Sequence, residues 1–140
     1  MHTIYTDGSC IGNPGPGGWA FIVIDTESAS DDGPMSSILH QESGSDPETT
    51  NNRMEMMALL RALEYAVTQS WQEVAVFSDS RLVVNTVNLG WKRKANLDLW
   101  IEMEKPLAKI NLKLKWVKAH DQNIYNNMVD ELALKAAKKA

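Results

Sequence analysis

The chain has a single cysteine, Cys10, among its 140 residues. An internal disulfide is therefore excluded, as is a zinc site built on cysteines, and a lone thiol fits a reducing compartment. No apolar run approaches the ~18 residues that a membrane span requires, so no membrane partner is expected. The opening residues lack a basic stretch followed by an apolar one. No secretory leader is expected, and the reading is cytoplasmic. Residues 1–52 contain no Lys or Arg, against eight acids (Asp7, Asp25, Glu27, Asp31, Asp32, Glu42, Asp46 and Glu48). All 14 basic residues fall in 53–140, where they meet 10 acids. A net charge of −4 argues weakly against a strong nucleic-acid binder, yet it leaves room for a basic surface on the C-terminal two-thirds. The 44% hydrophobic content is that of an ordinary globular protein, and the length predicts one domain, 1–140, with a real core.

Thr3-Ile4-Tyr5-Thr6 is β-branched and aromatic, which predicts a strand. It runs into Asp7 and then Gly8, where the chain can turn. A carboxylate at the C-terminal end of a central strand stands where open α/β sheets place their ligands; the plainer reading is a turn residue. Gly12-Asn13-Pro14-Gly15-Pro16-Gly17-Gly18 invites a phosphate-loop reading, but its spacing is neither GxGxxG nor GxxxxGK[ST]. The next segment, Trp19–Ile24, reads as a strand rather than a helix, so the glycines read as a wide turn before an antiparallel second strand.

Residues 26–35 read as an acidic loop, Ser36–Ser43 as a weaker third strand and 44–48 as a turn. Asn52 to Gln69 has the long helix formers and wide apolar face of a buried helix. Val74–Phe77 reads as a buried strand, Arg81–Asn88 as a short helix and Gly90–Asn96 as a basic loop. A further helix opens at Leu97, with Pro106 expected to end or kink it. Leu112–Val117 alternates as a fifth strand, His120–Tyr125 reads as a loop, and Asn126 or Asn127 caps a last helix. The order βββ-α-β-α-α-β-α predicts an α/β fold, a mixed sheet with helices on both faces.

Four carboxylates fall at element ends. Asp7 and Asp79 close the first and fourth strands, and Glu55 and Asp130 lie in the first turns of the long and last helices. Each has a structural explanation: a capping box from Asn52 to Glu55, a cap at Asp79 or Ser80, a helix dipole answered by Asp130. Together they point elsewhere. If strands one and four are parallel neighbours, Asp7 and Asp79 meet, and carboxylates that close need a cation. An all-oxygen set selects a hard ion, Mg²⁺ or Mn²⁺, and two such ions suit in-line displacement at a phosphodiester.

Thr6-Asp7-Gly8-Ser9-Cys10, Gly12-Asn13-Pro14-Gly15, Thr49-Thr50-Asn51-Asn52-Arg53-Met54-Glu55, Ser78-Asp79-Ser80, Trp116-Val117-Lys118-Ala119-His120 and Asp130-Glu131-Leu132-Ala133 occur in this order. In these motifs, which span nearly the whole chain, the sequence resembles the type 1 ribonuclease H family, bacterial form. The resemblance implies a five-stranded mixed sheet of order 3-2-1-4-5, with strands 1–3 antiparallel. It implies an endoribonuclease that hydrolyses the RNA strand of RNA–DNA hybrids with two Mg²⁺ ions, leaving 3′-hydroxyl and 5′-phosphate ends. By the same resemblance Asp7 would bridge both ions, Glu55 and Asp79 would hold the one on the leaving-group side, and Asp130 the one carrying the attacking water. His120 would assist proton transfer or product release. Gly8, Cys10 and Asn13 would meet the RNA ribose, Asn51 and Asn52 the minor groove, and Thr50 with Asn96 a phosphate of the DNA strand. No strict sequence specificity and no obligate protein partner are implied, and the family is usually monomeric.

Three features depart from the family pattern. The Lys-rich protrusion that bacterial members often carry is cut down to Leu89–Asn96, with Trp91, Lys92, Arg93 and Lys94 left to meet the hybrid. Glu48 stands where the phosphate pocket often has Arg, and Ala119 stands where Gly usually precedes the loop histidine. Two other readings compete. One is a hybrid-binding module without catalysis, disfavoured because all four acids are present. The other is a different nuclease of the same superfold, disfavoured by the Thr49–Glu55 and Gly12–Gly18 motifs.

Overall fold

The computed structural model describes residues 2–25, 38–118 and 123–140. The expected loop at 26–35 and the expected catalytic residue His120 lie outside the described residues. The elements are β1 (His2–Cys10), β2 (Gly15–Ile24), β3 (Ile38–Thr49), α1 (Asn51–Thr68), β4 (Glu73–Ser78), α2 (Arg81–Leu89), α3 (Leu97–Leu107), β5 (Asn111–Trp116) and α4 (Ile124–Lys139). They form one 5-stranded sheet of order β3-β2-β1-β4-β5. The β1–β2 and β2–β3 pairs are antiparallel, while β1–β4 and β4–β5 are parallel. This is the topology expected. Among the described residues, no helix is long and apolar enough to cross a membrane.

Period-2 alternation on the central strands builds a core on each face of the sheet. Ile4, Phe21, Val23, Val74 and Val76 point one way and pack with Leu59, Leu60 and Leu63 of α1 and Trp100 and Met103 of α3. Tyr5, Ala20, Ile22 and Ile24 point the other way and pack with Val129 and Ala133 of α4. At Gly18 a Cβ would lie 2.3 Å from the Ala133 carbonyl oxygen and 2.5 Å from the Ala137 nitrogen. That close approach seats α4 on the sheet.

Three expectations are corrected. First, β2 starts at Gly15 rather than Trp19: Gly17 and Gly18 pair with Cys10 and Ser9, so the glycines are strand residues chosen for close packing. Second, β3 runs on to Thr49, so residues 44–48 are not a turn. Gly44 lies under the Trp19 ring, and Pro47 falls where the β2–β3 register shifts, at a sheet edge that needs no donor from it. Third, the helix caps fall earlier than expected. Thr50 caps α1, its hydroxyl accepting from the Arg53 N–H at 3.3 Å, and Asn123 caps α4, accepting from the Asn126 N–H at 2.9 Å. Several Thr and Asn residues stand in each of these stretches, and packing decides which one caps. Pro106 lies in the final turn of α3, which ends one residue later at Leu107.

Candidate active site

The parallel pairing of β1 with β4 sets Tyr5 beside Phe77. Asp7 and Asp79 each lie two residues further on, past the β1–β4 pairing; Asp79 follows the end of β4, but β1 runs on through Asp7, paired with Ala20, to Cys10, so Asp7 does not close its strand as expected. Glu55 arrives from α1, which crosses above Gly8. The approach is tight: a Cβ on Gly8 would lie 2.4 Å from both the Glu55 nitrogen and the Met54 carbonyl carbon. The Gly8 N–H donates to Asp7 Oδ1 at 2.9 Å and to Glu55 Oε1 at 3.1 Å, so one peptide group ties strand and helix carboxylates together. As a result, carboxylate oxygens of Asp7, Glu55 and Asp79 all lie within 4.8 Å of one another.

The structural explanations for these acids lose their footing. Glu55 is past the first turn of α1, which contains no acid, and it accepts from Gly8 rather than closing a capping box. Ser80, not Asp79, caps α2, its Oγ accepting from the Val83 N–H at 3.2 Å. Asp130 stands in the second turn of α4, beyond the reach of a first-turn dipole interaction. It is outside the group of three, yet its carboxyl contacts that of Asp7.

Burial makes this cluster costly without a counter-charge. Asp7 is 2% exposed and Glu55 8%. Burial, then the charges of Glu55 and Asp79, push the Asp7 carboxyl far above the ordinary carboxylate range. Burial likewise raises that of Glu55, with Asp79 adding to it and the Gly8 N–H working against it. Asp7 Oδ2 and Glu55 Oε2 are buried with no hydrogen-bond partner among the described residues. Two orphaned buried carboxylate oxygens in a set containing only oxygen donors fit a hard divalent cation.

The other expected contact residues lie at the end of β1 and the β1–β2 connection, at the start of α1, and between α2 and α3. Cys10 is half-buried, with its Sγ 3.4 Å from the carbonyl oxygens of both Gly15 and Thr49. Asn13 Oδ1 accepts from the Asn51 N–H at 3.1 Å, bracing the β1–β2 connection against the exposed start of α1. Asn52 and Asn96 line one small cleft, of about 140 Å³, together with Lys92, Arg93, Lys94 and Trp100. Trp91 is exposed beside it. Three neighbours were given no role from the sequence. Trp116 donates from Nε1 to the Asp79 carbonyl oxygen at 3.2 Å, and the Arg81 guanidinium lies over its ring, 4.2 Å from the centroid. Arg53 bridges Asn96 and Asp98. These contacts join residues far apart in the chain, so no local pattern signals them.

The RNase H family profile matches residues 1–138. A ribonuclease H of Chlorobium chlorochromatii is 40% identical over 151 residues, covering 98% of this chain and 95% of the relative. The chain belongs to the ribonuclease H family. The ribonuclease HI of Campylobacter jejuni is also 40% identical, over 97% of this chain and 90% of its own length. Among solved structures, LC11-RNase H1 in complex with an RNA/DNA hybrid superposes with a TM-score of 0.81 at 29% identity, covering 99% of this chain and 98% of that one. Ribonucleases H are hydrolases acting on RNA in RNA–DNA hybrids, which is the reaction class the sequence motifs imply. The type 1 assignment is likewise supported by the ribonuclease HI and RNase H1 relatives.

Proposed function

We propose that residues 1–140 form one catalytic domain that cleaves the RNA strand of RNA–DNA hybrids endonucleolytically, by a two-metal mechanism that leaves 3′-hydroxyl and 5′-phosphate ends. The observation that carries this reading is the set of three carboxylates within 4.8 Å, two with orphaned buried oxygens, in a chain of this family. Asp7 would be shared by two Mg²⁺ ions, Glu55 and Asp79 would hold the ion on the leaving-group side, and Asp130 the ion on the water side; Mn²⁺ could take the same places. Bound there, the ions would polarise the scissile phosphate and lower the pKa of the attacking water. The chain's own part is to hold Asp7 and Glu55 in register through the Gly8 contact and to keep bulk water from both. His120 is assigned proton transfer or product release.

Substrate choice follows from the surroundings of the cluster. RNA is told from DNA through its 2′-hydroxyl. Gly8, Cys10 and Asn13 would meet it, with Asn51 and Asn52 reaching the minor groove. Thr50 and Asn96 would take a phosphate of the DNA strand. Nothing among these residues resembles a major-groove reader, so cleavage is expected without strict sequence specificity. The same reading has the enzyme working as a cytoplasmic monomer with no obligate protein partner.

The test is a labelled RNA–DNA hybrid incubated with Mg²⁺ beside a DNA duplex and an RNA duplex of the same sequence. Only the RNA strand of the hybrid is expected to be cut, and chelation of the metal is expected to abolish cutting. Cleavage of the DNA duplex, or full activity in chelator, would refute the reading. The short basic loop gives a further prediction. Replacing Lys92, Arg93 and Lys94 together by Ala should raise KM about three- to tenfold at moderate salt and flatten its salt dependence, with kcat nearly unchanged. An unchanged KM would remove this loop from the binding surface.

A further inference from the structure

Arg53 is tied to both members of the proposed DNA-phosphate pocket. Its backbone N–H donates to Thr50 Oγ1 at 3.3 Å, and its guanidinium Nη1 donates to Asn96 Oδ1 at 3.1 Å. The same guanidinium forms a two-pronged pair with Asp98, Nη1 to Oδ1 at 3.0 Å and Nη2 to Oδ2 at 2.9 Å. Thr50 belongs to the start of α1 and Asn96 to the start of α3, and Arg53 touches the first through its backbone and the second through its guanidinium.

The chemistry of the contact fixes more than distance. A guanidinium can only donate, so the Asn96 amide must turn its oxygen to Arg53 and its Nδ2 away. Asn96 has a left-handed backbone, φ 56° and ψ 38°, and makes no side-chain cap to α3. The described residues give its Nδ2 no acceptor. Its N–H groups are thus turned away from Arg53, while the Thr50 hydroxyl oxygen is engaged by the Arg53 N–H. An ordinary surface ion pair would not settle which way an amide faces; this one does.

Charge points the same way. Glu48 replaces the Arg often found two residues before Thr50, and Arg53 is matched by Asp98. The pair persists across the neutral range, since hydrogen bonding from Arg53 holds the Asp98 carboxyl down at about 2. A phosphate here would be held by neutral donors rather than by net positive charge, and hydrogen bonds of that kind depend on orientation.

We propose that Arg53, itself held by Asp98, is a positioning residue that presents the Asn96 amide N–H to a single phosphate of the DNA strand, the phosphate that the Thr50 hydroxyl also meets. The inference rests on the hybrid-cleaving reading above and on Thr50 and Asn96 forming that pocket.

The test uses hybrids in which one DNA-strand phosphate at a time is a neutral methylphosphonate. With the unaltered chain, one position is expected to raise KM about tenfold. Asn96→Ala and Arg53→Met should each raise KM for the unmodified hybrid and so erase most of that discrimination, and the double variant should lose no more than either one. Asp98→Asn, an exposed change that spares the fold, should reduce the effect to about threefold. A clamp that merely joined two helices would change stability and leave the discrimination intact. Full discrimination in Arg53→Met or Asp98→Asn overturns the proposal. So does a further loss when Arg53→Met is added to Asn96→Ala, because Arg53 would then touch the phosphate itself. If the unaltered chain cleaves hybrids but shows no sensitive DNA position, the pocket is wrong and the clamp falls with it. If it cleaves no hybrid at all, the functional reading fails first.

Discussion

Asp7→Asn is expected to cut hybrid cleavage at least about a thousandfold and yet to raise the melting temperature of the metal-free protein by about 3–8 °C. The two effects share one cause. Asp7 is buried against Glu55 and Asp79, and Asp7 Oδ2 and Glu55 Oε2 have no partner among the described residues. That arrangement suits a divalent cation and penalises the folded state when none is bound. Asparagine keeps the Oδ1 acceptor for the Gly8 N–H, is neutral without having to take up a proton, and offers an amide N–H to Glu55 Oε2. The fold gains while the cation site loses a ligand charge. Thermal melts in chelator and single-turnover cleavage in Mg²⁺ check both halves. An inactive variant that is also less stable would show that the cluster is not a strained cation site.

The pH dependence has a definite sign. The carboxyls of Asp7 and Glu55 are held above their ordinary values, so the folded metal-free protein keeps protons that the unfolded chain has released. Their contribution is fully present below about pH 4, where the unfolded carboxylates are protonated too, and it is lost as the pH rises through the raised values. Asp98 acts in the opposite sense, its carboxyl held at about 2 by Arg53, but it does so equally in both proteins. The stability difference between the unaltered chain and Asp7→Asn should therefore widen from acid to neutral pH. Mg²⁺ should close it by stabilising the unaltered chain more.

The sheet order and the meeting of Asp7 with Asp79 were legible because strand ends show plainly. The first strand does not stop at its acid, though: β1 runs on to Cys10 because Gly8, Ser9 and Cys10 pair with Trp19, Gly18 and Gly17 of β2. Glycine and proline were read less well. Gly15–Gly18 and Gly44–Glu48 carry turn residues but lie in strands, since each glycine makes room for a neighbour that only the tertiary structure supplies: α4 above Gly18, the Trp19 ring above Gly44. Glu55 and Asp130 were identified as site acids but placed too early in their helices, because neighbouring Thr and Asn residues compete as caps. The Arg53–Asp98 pair spans 45 positions, beyond any local pattern. What the sequence hid was long-range side-chain pairing, and the proposed phosphate clamp depends on that.

Gly8→Ala is expected to lower hybrid cleavage about a hundredfold and to cost about 1–3 kcal/mol of stability, although it removes no functional group. The added Cβ would lie 2.4 Å from the Glu55 nitrogen and the Met54 carbonyl carbon and 2.8 Å from Met54 Cβ. Two of these atoms are backbone and cannot swing aside, so β1 and α1 must part. The Gly8 N–H is the group that holds Asp7 Oδ1 and Glu55 Oε1 together, and parting the two elements widens the carboxylate set. A misplacement of about 1 Å can cost about a hundredfold when the reacting geometry is fixed in advance. Gly44→Ala separates this from simple destabilisation. Its Cβ would meet the Trp19 ring at 2.5 Å, a comparable overlap two strands away from Gly8. At a temperature where both variants are folded, Gly44→Ala should retain most of its activity and Gly8→Ala should not. Equal activity in the two would mean that the carboxylate spacing is set elsewhere, and that the contact of α1 with Gly8 serves packing alone.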